Sequence, residues 1–83
     1  MRCLLFTSST CKACPAMKHN LWKADIPYEE KNVDSIEGCA LAGSYRVQSL
    51  PTLVILVKDV PVESFVGVRP VYELQQIMGR YGR

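Results

Sequence analysis

The chain has 83 residues, four cysteines, one histidine and a formal net charge of +2. That length supports one domain with one modest core, and so small a charge gives no reason to look for nucleic acid or an anionic membrane. Lys and Arg are spread along the chain without interleaved aromatics, so no RNA-binding pattern is present. The most apolar run, Thr52–Val57, is of strand length and far too short to cross a bilayer. Met1-Arg2 and the apolar residues that follow are shorter than the roughly 7–15 residues of a signal-peptide core. A cytoplasmic, reducing location is expected, and nothing in the pattern demands more than a monomer.

Taken in chain order, Cys3-Leu4-Leu5-Phe6 reads as a buried strand and Thr7-Ser8-Ser9-Thr10 as a polar loop. A helix is expected from Lys12 onward, with Cys14, Met17, Leu21 and Ala24 on one face and Pro15 tolerated in its first turn. Asp25-Ile26-Pro27 ends it. Tyr28–Val33 makes a second strand, charged as an edge strand often is. Asp34-Ser35-Ile36-Glu37 has capping-box spacing, which predicts Asp34 as the cap with Glu37 reaching back, and a short helix to Gly43.

Ser49-Leu50-Pro51-Thr52 leads into the strand Thr52–Val57, and Lys58-Asp59 turns the chain into a hairpin partner, Val62–Val66. Pro61 fits near a strand start or on an edge. Gly67 breaks the pattern, and Pro70 opens a last helix that buries Leu74, Ile77, Met78 and Tyr81 and frays at Gly79 and Gly82. The order β-α-β-α-β-β-α predicts a single α/β domain over 1–83, with a four-stranded mixed sheet and helices on both faces. Its crossover between the first two strands should be parallel and right-handed.

The chemistry concentrates at Cys11-Lys12-Ala13-Cys14. A cysteine at a helix N-terminus faces unsatisfied N–H groups and the positive end of the macrodipole, which favour the thiolate. Lys12 adds a cation. Cys14, three residues on, lies on the same helix face and can resolve a mixed disulfide formed by Cys11. Lys12 should also make the resulting disulfide somewhat more oxidising. Cys3 and Cys39 read as small buried hydrophobes and His19 as a solvated side chain. A zinc site built from Cys11, Cys14, His19 and either Cys3 or Cys39 is an alternative, although a second closely spaced ligand pair is absent.

Cys11-x-x-Cys14 after the first strand, together with Tyr45–Leu53 around Leu50-Pro51-Thr52, resembles the thioredoxin family over essentially the whole chain. Asn32-Val33-Asp34 and Gly67 match further family positions. The chain has the short, glutaredoxin-like length. The resemblance implies a minimal thioredoxin fold and a dithiol oxidoreductase with Cys11 and Cys14 as its catalytic pair and no cofactor. A cis-proline at Pro51 would aim the Leu50 backbone at substrate, with Thr10, Lys12 and Gly67 completing the binding surface. Implied partners are protein disulfides and a thioredoxin-reductase-like or other electron donor.

Three positions depart from the family. Thr10 replaces its usual tryptophan, Lys12-Ala13 its usual Gly-Pro, and Leu5 a buried aspartate that assists the resolving cysteine. Glutaredoxin activity with glutathione is an alternative, but Gly67-Val68-Arg69-Pro70 has one glycine and no acid where that family has a Gly-Gly turn followed by an acid. Arg69 there would either hold a carboxylate or stay solvated. A metal-binding or non-catalytic interaction module on the same fold is the remaining alternative.

Overall fold

The computed structural model describes residues 1–82. The elements are β1 (Arg2–Thr7), α1 (Cys14–Lys23), β2 (Glu29–Asn32), α2 (Ile36–Ser44), β3 (Thr52–Val57), β4 (Val60–Val66) and α3 (Val71–Tyr81). The strands form one sheet in the order β2-β1-β3-β4. β1 pairs parallel with β2, as a crossover helix requires, and antiparallel with β3, and β3 pairs antiparallel with β4. The two apolar runs therefore occupy the centre, where both faces are covered, and the charged strand β2 takes an edge.

Alternation along β1 and β3 sorts the core into two layers. Cys3, Leu5, Leu53 and Ile55 pack with Met17, Leu21 and Ala24 of the α1 region and with Leu74 and Ile77 of α3. Leu4, Phe6, Val54 and Leu56 face the other way, onto Ala42 of α2 with Leu41, Tyr45, Val47 and Leu50 around them. Helices thus cover both faces of the sheet. Truncating one of these buried leucines should cost about 2–5 kcal/mol, a large share of a small domain's stability. Among the described residues no helix is long and apolar enough to cross a membrane.

Chain reversals use left-handed backbone at residues other than glycine. Asp25 (φ 60°) ends α1, with its N–H bonded to the Trp22 carbonyl and the Ile26 N–H to the Leu21 carbonyl. That is a Schellman cap, and Ile26 and Leu21 bury together in the same core layer. Arg46 (φ 57°) does the same for α2, with the Arg46 N–H bonded to the Gly43 carbonyl and the Val47 N–H to the Ala42 carbonyl. The expected terminator Gly43 is therefore corrected. It lies inside the helix, and the left-handed position falls at Arg46. Lys58 and Asp59 (φ 53° and 64°) form the two-residue hairpin turn. β4 begins two residues earlier than expected, and its Pro61 sits on the edge strand beside a register irregularity at Ile55/Leu56.

The N-terminus of α2 corrects another expectation. Ser35, not Asp34, is the cap, and its Oγ accepts the Gly38 N–H at 2.9 Å. Both residues suit a cap locally. Ser35 takes the position because its hydroxyl also donates to the Asn32 carbonyl at 2.8 Å, which ties the helix start to the end of β2. Gly38 permits that seating, since a Cβ there would collide with the Asn32 carbonyl oxygen. Asp34 is left free for another partner.

Candidate functional site

Register places four loops at one end of the sheet. Thr7 ends β1 and pairs with Asn32 at the end of β2, and Phe6 lies opposite Thr52 at the start of β3. Thr52 in turn lies opposite Val66 at the end of β4. The Ser8–Ala13 segment, Val33–Ser35, Ser49–Pro51 and the Gly67 turn all leave the sheet at this end. Residues from 8 to 67 in sequence become neighbours through strand pairing alone.

Within that cluster Cys11 and Cys14 are joined by a disulfide, with Cα atoms 5.5 Å apart. The two sulfurs are not equivalent. Cys14 is 2 % exposed, whereas Cys11 is only partly buried and is flanked by exposed Thr10 and Lys12. α1 begins at Cys14, not at Lys12. Lys12 and Ala13 form a turn, and Ala13 caps the helix without a side-chain hydrogen bond. Cys11 thus stands just ahead of the first turn. The reason is local: Pro15, in the first turn, has no N–H to extend a helix backward.

Pro51 is buried and its peptide bond to Leu50 is cis. The Pro51 carbonyl accepts the Gly67 N–H at 2.8 Å. Leu50 packs its side chain on the α2 side of the sheet, and among the described residues no backbone hydrogen bond engages its N–H or C=O. Gly67 adopts φ +87°, a conformation a side chain would strain. Thr10 is exposed, with its hydroxyl 3.2 Å from that of Ser8.

Charged groups on the loops and strands around this end make pairings that the sequence pattern did not indicate. Glu30 Oε2 accepts the Thr7 hydroxyl at 2.7 Å and lies 2.8 Å from Lys18 Nζ. Lys18, four residues after Cys14 on α1, chiefly holds the Glu30 carboxyl below its usual range, with Thr7 adding to the effect. Asp34 Oδ2 accepts both the Ser9 N–H (2.9 Å) and the Ser9 hydroxyl (2.7 Å), and these bonds keep that carboxyl ionised below its usual range. Neither pairing has a sequence signal, since the partners are 23 and 25 residues apart.

The remaining candidates lie elsewhere. His19 is exposed on α1, its ring 5.9 Å from that of Trp22. Arg69 is occupied by Glu73 at 3.4 Å and lies over the Phe65 ring. Cys3 is buried in the α1/α3 core layer, and burial pushes its thiol up. Cys39 is exposed on α2, which corrects its expected burial. The small residues around Cys39 suggested a core position, but α2 turns Gly38 and Ala42 inward instead. Among the described residues no three His, Cys, Asp or Glu side chains gather closely enough to hold a metal ion. Leu5 is fully buried and apolar.

Comparison with known proteins points in one direction. No family model matches the sequence. Thioredoxins of Staphylococcus aureus strains are 28% identical over 80 residues, spanning 92% of this chain and 77% of theirs. A mutant thioredoxin of Halobacterium salinarum superposes with a TM-score of 0.84 at 26% identity, over 98% of this chain and 74% of that one. Thioredoxin 1 of Thermosipho africanus superposes at 0.75 with 26% identity, over 98% and 93% of the two chains.

Proposed function

We propose that this chain, a thioredoxin-like thiol–disulfide oxidoreductase with the thioredoxin fold, exchanges electrons with protein disulfides through Cys11 and Cys14. The observation that carries the reading is the asymmetry of the pair: a reachable Cys11 bonded to a Cys14 that is 2 % exposed. An incoming disulfide meets Cys11 first.

In the reducing direction the Cys11 thiolate attacks one sulfur of the substrate disulfide. A mixed disulfide forms and one substrate thiolate leaves. Cys14, as thiolate, then attacks the Cys11 sulfur and releases the second substrate thiolate. Two electrons pass to the substrate, and the product on this chain is the Cys11–Cys14 disulfide. The positive end of α1 stabilises the thiolates. With Leu5 apolar and buried, that position offers no carboxylate, and the Cys14 proton passes to water, to Lys12 or to the departing substrate thiolate.

The unengaged N–H and C=O of Leu50 suit pairing with an extended substrate segment. Thr10, Lys12, Pro51 and Gly67 border the same ground. A dithiol donor of the thioredoxin-reductase class restores the reduced pair, in keeping with a cytoplasmic, reducing setting. Glutathione is not the substrate favoured here, because Arg69, the cation considered for its carboxylate, is taken up by Glu73 and Phe65.

Titration of the couple against glutathione redox buffers, with Cys11→Ser as control, tests the reading. A reversible two-electron potential that vanishes in the control is expected, and its value separates a reductant from an oxidant. A protein without such a couple would overturn the proposal.

A further inference from the structure

The turn that carries Cys11 is weakly held by its own residues. The Cys11 N–H reaches the Ser8 carbonyl at 3.3 Å and the Ser8 and Thr10 hydroxyls meet at 3.2 Å, while the Ala13 cap supplies no side-chain bond. The short bonds come from outside: the Asp34 carboxylate takes both the N–H and the hydroxyl of Ser9, two residues before Cys11.

Asp34 stands on firm ground. Its own N–H is held by Asn32 Oδ1 at 2.7 Å. The neighbouring Ser35 caps α2 and bonds back to Asn32, and Gly38 seats that helix against the same carbonyl. One end of the clamp is therefore rigid, and the other is the loop that presents the nucleophile.

We propose that Asp34 is a positioning residue, which fixes the Ser8–Cys11 turn so that the Cys11 sulfur meets an incoming disulfide in line. The proposal rests on the oxidoreductase reading above. The role belongs to the hydrogen bonds and not to the charge, because a carboxylate near Cys11 disfavours the thiolate. A neutral acceptor at this position should therefore keep most of the effect.

The test is the second-order rate of reduction of a small aryl disulfide by the reduced protein in a Cys39→Ser background, which removes the other exposed thiol, at a pH where Cys11 is fully ionised. Melting temperatures are read on the same samples. Asp34→Ala is expected to react about tenfold more slowly, a smaller loss than the roughly hundredfold that a full 1 Å misplacement can carry. Asp34→Asn, whose amide oxygen still accepts from Ser9, should recover most of the rate. Ser9→Ala, which keeps its backbone N–H, should fall between. In the double variant Ser9→Ala/Asp34→Ala the rate should drop no further than in Asp34→Ala.

Equal rates for wild type and Asp34→Ala overturn the proposal, as does a loss that Asp34→Asn shares in full. Should Asp34→Ala fail to fold, Ser9→Ala decides, and a wild-type rate there overturns it. A wild-type protein that cannot reduce the probe at all overturns the oxidoreductase reading and this proposal with it.

Discussion

Gly67 donates its backbone N–H to the carbonyl oxygen of Pro51 across the start of β3, at 2.8 Å. This bond joins the loop before α3 to the loop before β3, at the end of the sheet from which the cysteine loop also leaves. Gly67 reaches it with φ +87°, and no neighbouring atom lies near the position a Cβ would take. Gly67→Ala should therefore cost only backbone strain, about 1–2 kcal/mol. In a domain of this size that lowers the melting temperature by about 4–8 °C per kcal/mol. A variant that melts with the wild type would show that the turn tolerates a side chain.

The two cysteines should fail differently when changed to serine. Cys14→Ser keeps the accessible nucleophile and loses the resolving thiol, so a mixed disulfide with a protein substrate should accumulate. Cys11→Ser should trap nothing at Cys14, which is 2 % exposed. Mass spectrometry after acid quenching reads the adducts. Equal trapping by both variants would contradict the assigned order of attack.

Cys3 and Cys39 should separate cleanly toward an alkylating agent. With the Cys11–Cys14 disulfide intact, native protein treated with iodoacetamide should gain one adduct, at exposed Cys39. Cys3 is buried and its thiol is pushed up by that burial, so it should react only after denaturation. Comparable native rates at the two sites would refute this.

Capping at α2 gives a sharp comparison. Ser35→Ala removes the oxygen that accepts the Gly38 N–H and should cost about 1 kcal/mol. Glu37 is exposed and, among the described residues, makes no hydrogen bond back to the cap. Glu37→Ala should cost less than half as much in denaturant unfolding. The reverse ranking would restore the capping box expected from Asp34-x-x-Glu37.

Glu30 gives a pH signature. Its carboxyl is held low by Lys18 first and Thr7 second, so the ionised form is stabilised on folding. A depressed folded-state value adds stability above the ordinary carboxylate range and loses it as pH falls through the folded value. Glu30→Gln should therefore be less stable than wild type at pH 7, with the gap closing in acid. The Lys18 and Glu30 side chains are 37% and 39% exposed, so solvent screening keeps the neutral-pH gap to about 1 kcal/mol or less. A gap that stays constant to pH 2 would assign the effect to shape instead of charge.

Much of this molecule is legible along the chain. Two apolar runs, a charged run between helical patterns and a turn at Lys58-Asp59 are written within a few residues each, and they dictate the order of elements and the central place of β1 and β3. Cys11-x-x-Cys14 after a strand is equally local, and so is the reach of one thiol to the other. These features were readable because period and spacing act over one or two turns of backbone.

Other features depended on choices that local pattern leaves balanced. Asp34 and Ser35 both suit a helix cap, and the Asn32 carbonyl and the distant Ser9 decide between them. Cys3 in β1 and Cys39 in α2 both read as small buried side chains, and only the packing of α2, which turns Gly38 and Ala42 inward, leaves Cys39 facing out. Asp25 and Arg46 take left-handed positions usually given to glycine, because Ile26 and Val47 gain burial beyond them. The sequence by itself determined the elements and the redox pair, which short-range chemistry encodes. Which loops share that pair's end of the sheet was decided by the tertiary structure, because strand pairing brings together residues far apart in the chain.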